Sequence, residues 1–317
     1  MQRYILRRLV LTIPALLGVT LIISVMIRLL PGDAVTIMLG DYGQYAKDAD
    51  DLRAKLGLSQ PFQVQYIKWI GGIAHGDFGQ SLRDRTPIAH ELAIRLPVTF
   101  ELGFLGLIVS LLIAIPLGVY SAVRQDTISD YIARSAAIAM LAIPGFWLAI
   151  LAITVPSVWP WHKWTPPLRY ARLQDDPSAN LKQMILPAII LGIGLSGSIM
   201  RLTRAQMLEV LRQDYIRTSR SKGLSERAVI YRHALRNAIV PIVTLLGLNM
   251  AVLISGTVVL ESIFVLPGMG RYLLDSLNAR DYPAVQAVVL LFATVIIVFN
   301  LVVDLLYAWL DPRIRYS

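Results

Sequence analysis

The 317-residue chain has no cysteine, which excludes disulfides, thiolate metal sites and cysteine nucleophiles. Its four histidines, His75, His90, His162 and His233, are scattered without the short spacings that metal ligands need. No Gly-Lys dipeptide occurs, so the phosphate loop G-x-x-x-x-G-K-[ST] is missing and any ATP chemistry must belong to another chain. Charge is scarce as well, at 16% of residues, where a soluble protein carries roughly 25%. Apolar residues make up 56% of the chain, and the mean hydropathy is +0.59. That surplus excludes intrinsic disorder, which needs low hydrophobicity and high charge density. It is also too large to hide inside one water-soluble domain. An integral membrane protein remains, provided the apolar residues fall in runs of about 20, and they do.

Six stretches are long enough or nearly so: Leu9–Leu30, Val98–Tyr120, Ala136–Trp159, Met184–Met200, Ile239–Leu260 and Ala284–Ala308. Each must close its own backbone hydrogen bonds in the bilayer, so the expectation is an all-α membrane protein with six transmembrane helices. The fourth stretch is short and is expected to continue as a helix past Arg201. Pro14, Pro116, Pro144, Pro187 and Pro241 fall inside spans or at their ends, where they predict kinks or boundaries. The first stretch follows Arg3, Arg7 and Arg8, as a signal peptide would. Its apolar region is longer than the usual 7–15 residues, and Pro31-Gly32-Asp33 offers no A-x-A cleavage site, so a retained helix is expected.

Six spans put both termini on one side. With that side inside, segments 1–8, 121–135, 201–237 and 311–317 carry Lys and Arg about twice as densely as segments 31–97, 160–183 and 261–283. Both termini are therefore expected in the cytoplasm, with Arg28 snorkelling at the outer end of the first span. The expected organisation is a first membrane helix at 1–30, an extracytoplasmic cap at 31–97 and a five-helix core at 98–317. That core contains a cytoplasmic loop, 201–237. No internal or inverted repeat is visible.

Within the cap, Asp50–Gly57 reads as a short helix stopped at Gly57. Gln63–Ala74 reads as a second, with Tyr66, Trp69 and Ile70 at helical spacing, and Gly76–Gly79 as a turn. Tyr66 and Trp69 suit core or interface anchors, and a docking surface for an external partner is compatible with that. The cytoplasmic loop is more unusual. Arg201, Arg204, Arg212, Arg217, Arg220, Lys222, Arg227, Arg232 and Arg236 stand against Glu209, Asp214 and Glu226, which puts two-thirds of the chain's +9 net charge in one segment. It reads as two helices, Arg204–Lys222 and Glu226–Asn237. Gly223 suits the left-handed position between them, Ser225 suits the next N-cap, and Glu226 favours that helix's positive end. Leu208, Leu211 and Tyr215 form one apolar stripe, and Val229, Ile230, His233 and Ala234 another. Such an elbow fits either lipid headgroups or a groove on a protein.

The run Asp214-Tyr215-Ile216-Arg217-Thr218-Ser219-Arg220-Ser221-Lys222-Gly223-Leu224, then His233-Ala234-Leu235-Arg236-Asn237-Ala238 and Pro241, resembles the EAA loop of bacterial ABC-importer permeases. The dipeptide/oligopeptide/nickel branch is the nearest likeness, since its glycine-to-proline interval is long, here 18 residues. Arg217-Thr218-Ser219 stands where the general signature has Glu-Ala-Ala. Other family-like stretches extend along the chain: Pro31-Gly32-Asp33, Leu56-Gly57-Leu58, Gly76-Asp77-Phe78-Gly79, Leu96-Pro97, Pro267-Gly268-Met269-Gly270-Arg271, Arg280-Asp281-Tyr282-Pro283, Asn300–Asp304 and Asp311–Arg315. The resemblance implies a type I importer permease fold in a bacterial or archaeal cell membrane, and a peptide importer as the leading substrate class. Nickel, glutathione or oligosaccharide cargo is also known in the branch, where the solute-binding protein largely chooses.

Implied partners are a second, similar permease, two ATPase subunits below that hold ATP and magnesium, and an extracytoplasmic solute-binding protein above. This chain itself would bind no cofactor or metal. The elbow would be the coupling helix seated on an ATPase, with Arg217, Arg220 and Lys222 supplying charge and Gly223 the bend. Binding-protein docking would fall near Asp77, Phe78, Gly268, Gly270 and Arg271.

Glu101, Asn249, Glu261, and Asn300 with Asp304 four residues further on are polar residues in or beside the spans. Asn249, Glu261, Asn300 and Asp304 are the candidates for a pathway or gate, though Asp304 suits pairing with an Arg better than substrate contact. Two readings of other classes compete. Gly194-Leu195-Ser196-Gly197 fits a four-letter intramembrane-protease pattern, but only His233 follows it as a base, and Gly192 with Ser196 suits close helix packing better. A secondary transporter or channel working without ATPases is the other.

Overall fold

The computed structural model describes residues 2–29, 35, 50, 53–54, 58–158 and 170–310, with the side chains of 2–9, 27, 157, 240, 248 and 304–310 left out. The expected helix Asp50–Gly57 falls mostly outside these residues, as do Pro31-Gly32-Asp33, His162 and the tail from Asp311. The described residues are almost entirely helical. In chain order the helices are α1 (Gln2–Leu29), α2 (Phe62–Ala74), α3 (Ile88–Val123), α4 (Ile128–Ala142), α5 (Gly145–Val158), α6 (Pro177–Leu211), α7 (Asp214–Ser221) and α8 (Glu226–Ala228). A π-helical turn, Val229–Ala234, leads into α9 (Leu235–Leu248), α10 (Met250–Ile263), α11 (Met269–Asn278) and α12 (Tyr282–Leu310).

Among the described residues three helices are long and apolar enough to cross a membrane: Ile88–Val123, Pro177–Leu211 and Tyr282–Val303. The number rises to five if Ile128–Ala142 with Gly145–Pro156, and Glu226–Ile239 with Pro241–Gly247, each form one bent span. Val10–Met26 and Met250–Ile263 are shorter apolar helices. Their outward faces are oily: Phe104 and Leu112 on α3 are 64% and 69% exposed, which suits a lipid neighbour and not water.

Two of the expected spans are not straight. Ala136–Trp159 turns by 90° between α4 and α5. A residue before proline is driven out of the helical region, and Ile143, before Pro144, sits at φ −83°, ψ 118°. The Pro144 carbonyl then accepts from the N–H groups of Trp147 and Leu148, restarting the helix on a new axis. Ile239–Leu260 bends by 44° between Ile239 and Pro241, and its helix is interrupted at Asn249. The fourth span does continue past Arg201, as far as Leu211. At its start the Asp176 side chain accepts from the Ala179 N–H at 2.9 Å, and Pro177 occupies the first helical position, where its missing N–H costs nothing.

The chain divides into two compact units, one from Met1–Thr99 with Pro267–Val298 and the other from Phe100–Leu266 with Phe299–Arg315. The first is built on Ile88, Leu92, Met269, Tyr272, Ala284, Ala287 and Val288, with Phe78 and Leu96 packed against them. Polar ties reach across its sequence. Ser81 donates to Asp281 at 2.5 Å, the Leu82 N–H donates to the same carboxylate at 3.1 Å, and Gln286 donates to Ser24 at 2.6 Å.

The second unit depends on small residues where helices meet. A Cβ at Gly192 would lie 2.6 Å from Val109, and one at Gly197 would lie 2.5 Å from the Ala137 carbonyl oxygen. These approaches bring α6 against α3 and α4, the close-packing role read for Gly192. Gly194, on the same helix, faces open space. Gly197→Ala should therefore destabilise the purified permease by about 1–3 kcal/mol through overpacking, whereas Gly194→Ala should not. Thermal unfolding of the two variants in detergent checks this. Equal melting temperatures would remove the packing role.

Candidate functional site

The basic segment after Arg201 rests on one ion pair. Arg204, one turn further along α6, donates through Nε to Asp130 Oδ1 at 2.9 Å and through Nη2 to Oδ2 at 2.7 Å. The two residues are 74 positions apart. Asp130 is fully buried and also accepts from the Ser121 hydroxyl and from the Asp126 N–H, the latter at 3.1 Å. Thr127 caps α4, its hydroxyl accepting from the Asp130 N–H and donating to the Arg124 carbonyl. The connection between α3 and α4 is thereby fixed to α6 by a bidentate, charge-assisted contact with its remaining acceptor sites filled. The Arg204 guanidinium holds the Asp130 carboxyl well below the usual carboxylate range, and the carboxylate raises Arg204 in turn.

Beyond Leu211 the structure departs from the expected single helix Arg204–Lys222. Gln213 takes an extended conformation (φ −70°, ψ 147°), which ends α6 and lets α7 start at Asp214 in a new direction. Only Ile216 of α7 is buried. The helix closes at Gly223, whose φ is +76°, in the left-handed region where a side chain is disfavoured. The Gly223 N–H bonds the Arg220 carbonyl at 2.9 Å and the Leu224 N–H reaches the Ser219 carbonyl at 3.4 Å, the pattern of a Schellman stop. Ser225 then caps the next helix, accepting from the Ala228 N–H at 3.4 Å. The expected second helix, Glu226–Asn237, is also not a single α-helix: it runs through the π turn and on into α9.

One apolar cluster joins these pieces: Val119 and Ala122 from α3, Met207 from α6, Ile216 from α7, Val229 and Ala234 from the π turn, and Ala238 from α9. Asn237 donates to the Tyr215 hydroxyl at 2.8 Å and to the His233 carbonyl at 3.1 Å. Arg220 grips Glu226 across the glycine at 2.8 and 3.3 Å, and Arg217 stands 3.8 Å from Asp214. Both pairs are exposed, so each is worth roughly 0–1 kcal/mol. Thr218 and Ser219 turn their hydroxyls back to the carbonyls of Asp214 and Tyr215. Pro241 marks a 44° bend. The outward face shows Tyr215, Leu224 and Tyr231 together with Arg217, Lys222, Arg227, Arg232 and Arg236. Apolar tips among cations suit a protein groove with acidic rims.

The remaining site residues lie elsewhere. Asn249 interrupts α9–α10, and its Nδ2 is buried without a hydrogen-bond partner among the described residues. Glu261 is fully buried near the end of α10 and Asn300 is half-buried on α12, while the Asp304 side chain lies outside the described residues. In the other unit Phe78 packs on the cluster that contains Met269, and Asp77 accepts from the Gly79 N–H. Gly268 caps α11, Gly270 is buried and Arg271 is 3.8 Å from Asp275. Ser196 is fully buried and donates to the Gly192 carbonyl at 2.6 Å, the posture of a packing residue and not of a nucleophile. Asp130 was not legible as a site residue. A lone aspartate in the first turn of a helix carries no sign of a partner 74 residues away.

Two family signatures cover this chain. Residues 114–316 match the binding-protein-dependent transport system inner membrane component, and residues 1–103 match the N-terminal membrane component of the same systems. Among individual proteins, the chain is 41% identical over 342 residues to the dipeptide transport system permease protein DppB of Escherichia coli (strain K12), all of both chains being covered. It is 40% identical over 319 residues to the oligopeptide transport system permease protein AppB of Bacillus subtilis (strain 168), again over the whole of both. The chain belongs to the family of binding-protein-dependent ABC transport permeases, integral membrane components and not catalysts.

Because Asp130 is depressed in the folded protein, its stabilising contribution is complete above the unfolded carboxylate value of about 3.9 and is lost as pH falls through and below it. Asp130→Asn should cost about 3–5 kcal/mol near neutrality by stranding Arg204. The gap between wild type and variant should narrow toward pH 3, as the unfolded wild-type chain takes up a proton that folded Asp130 does not. Thermal unfolding at several pH values checks both, and a constant gap would contradict the ion pair's role.

Proposed function

We propose that this chain is the membrane-spanning permease of an ATP-driven peptide importer, forming half of the translocation pathway beside a second, similar permease. The observation that carries the reading is full-length identity of 40–41% to permeases named for dipeptide and oligopeptide transport. In this reading there are six spans, with α4–α5 counted as one bent span and α9–α10 as one interrupted span. Both termini lie in the cytoplasm, as the distribution of Lys and Arg supports.

The elbow around Gly223 is the coupling element, seated on one of two ATPase subunits that hold ATP and magnesium. Its sharp glycine turn, its apolar tips and its cations support that role. Closure of the ATPase dimer pushes on the elbow. Through the apolar cluster and the Asp130–Arg204 pair, the push reaches α3, α4 and α6 together, rocking the helices between inward- and outward-open states. A solute-binding protein delivers peptide on the far side, near Asp77, Phe78, Gly268, Gly270 and Arg271. Asn249, Glu261, Asn300 and Asp304 line the pathway or its gate. The buried amide of Asn249, without a partner among the described residues, supports a polar neighbour there, such as water or a passing peptide group.

Proline cannot adopt φ +76°, so Gly223→Pro should break the turn while leaving the ATPase active sites intact. In proteoliposomes holding the whole complex and its binding protein, wild type should take up a labelled dipeptide only with ATP. The variant should still hydrolyse ATP but move several-fold less dipeptide per ATP. Normal uptake per ATP in the variant would show that the elbow is not the coupling element.

A further inference from the structure

Arg28 stands near the end of α1, and its contacts among the described residues are all neutral. Its Nη1 donates to the Ser24 carbonyl at 2.7 Å and its Nη2 to Gln65 Oε1 at 2.6 Å. The guanidinium lies 4.9 Å from the Phe62 ring centroid and 5.6 Å from that of Tyr282. A half-buried cation without an anion is costly, and the contacts from described residues leave part of its five-donor fork unused. Beside it opens a cavity of about 240 Å³, also lined by Lys68 and Trp69. That is room for about eight waters at ~30 Å³ each. Two cations border the cavity, and no carboxylate is among the described residues that line it. The Trp69 indole nitrogen is buried with no hydrogen-bond partner among the described residues. Arg28 and Lys68 therefore give this space the positive charge that an anion needs.

The surroundings indicate which anion. Next to Arg28, α1 exposes Val25, Met26 and Leu29, and α2 exposes Val64 and Ile67. A small soluble anion would leave this apolar surface bare, whereas a phosphodiester carrying acyl chains would cover it. Phe62, Tyr66 and Trp69, along one side of α2, form a chain of aromatic rings with successive centroids 6.0 and 6.4 Å apart, a grouping enriched at membrane–water interfaces. We propose that the Arg28 cavity is a binding site for the headgroup phosphate of a phospholipid in the adjacent leaflet. The phosphate is held by Arg28, Lys68 and the Trp69 N–H, and its chains lie along α1 and α2. The lipid would fasten α2 to α1 beside the bonds that join them among the described residues: Arg28 to Gln65, and the Tyr66 hydroxyl to Thr20 and the Leu17 carbonyl.

The test is native mass spectrometry of the whole purified complex in detergent supplemented with phosphatidylglycerol. It compares wild type with Arg28→Gln, Lys68→Gln and Trp69→Phe. Wild type should retain one lipid that Arg28→Gln holds roughly tenfold more weakly, the ordinary worth of a charge-assisted hydrogen bond. The other two variants should be intermediate. Equal retention in all four proteins would overturn the proposal. Inorganic phosphate in lipid-stripped complex provides the second arm. Stabilisation of wild type but not Arg28→Gln by phosphate, with lipid retention unchanged, would make this a free-anion site and overturn the lipid assignment. Should Arg28→Gln fail to assemble, weaker lipid retention by Lys68→Gln or Trp69→Phe sustains the site, and full retention by both overturns it.

Discussion

The elbow's geometry depends on a buried carboxylate. Asp130 has no exposed surface, and each of its oxygens is engaged, by the Arg204 guanidinium on one side and by Ser121 and the Asp126 N–H on the other. A charge placed so deeply is tolerable only with such complete pairing, and removing either partner strands the other. The pair joins the α3–α4 connection to the last turns of α6, immediately before the chain leaves that helix for the elbow. The base of the elbow is therefore set by the ends of three long helices and not by its own short segments, which at three to eight residues are too short to stand alone.

From that base the elbow is arranged for contact outward. Its apolar residues divide cleanly: Ile216, Val229 and Ala234 face inward and are fully buried, while Tyr215, Leu224 and Tyr231 face out. The charges divide as well. Arg220 is occupied by Glu226 across the glycine turn, where it restrains the bend, so Lys222, Arg227, Arg232 and Arg236 are better placed to meet a partner than Arg220 is. A rigid turn with oily tips and a cationic surround can carry a push without unfolding, which is what coupling to a motor requires.

Much of this was legible because membrane helices and glycine stops are local features. The apolar runs located α1, α3, α6 and α12. Gly223 and Ser225 marked the turn through backbone geometry that few other residues accept. The run past Arg201 was legible because Leu208 and Leu211 prolong the helical stripe. What escaped was set by tertiary context. Pro144 signalled a boundary but not a 90° change of axis, because a proline marks where a helix ends and not the direction in which the next one starts. The break at Gln213 has no glycine or proline to announce it, and the π turn at Val229–Ala234 preserves helical-looking spacing. The Asp130 and Arg204 partnership joins positions with no shared motif, and only folding brings them together.

The absence of native cysteine makes the central claim directly measurable. A single Leu224→Cys substitution puts a thiol at the exposed tip of the elbow, one residue past the glycine. If the elbow seats in an ATPase groove, a water-soluble maleimide should label that thiol readily in the permease pair alone and poorly once the ATPase subunits are bound. Labelling at the same rate with and without the ATPases would contradict it.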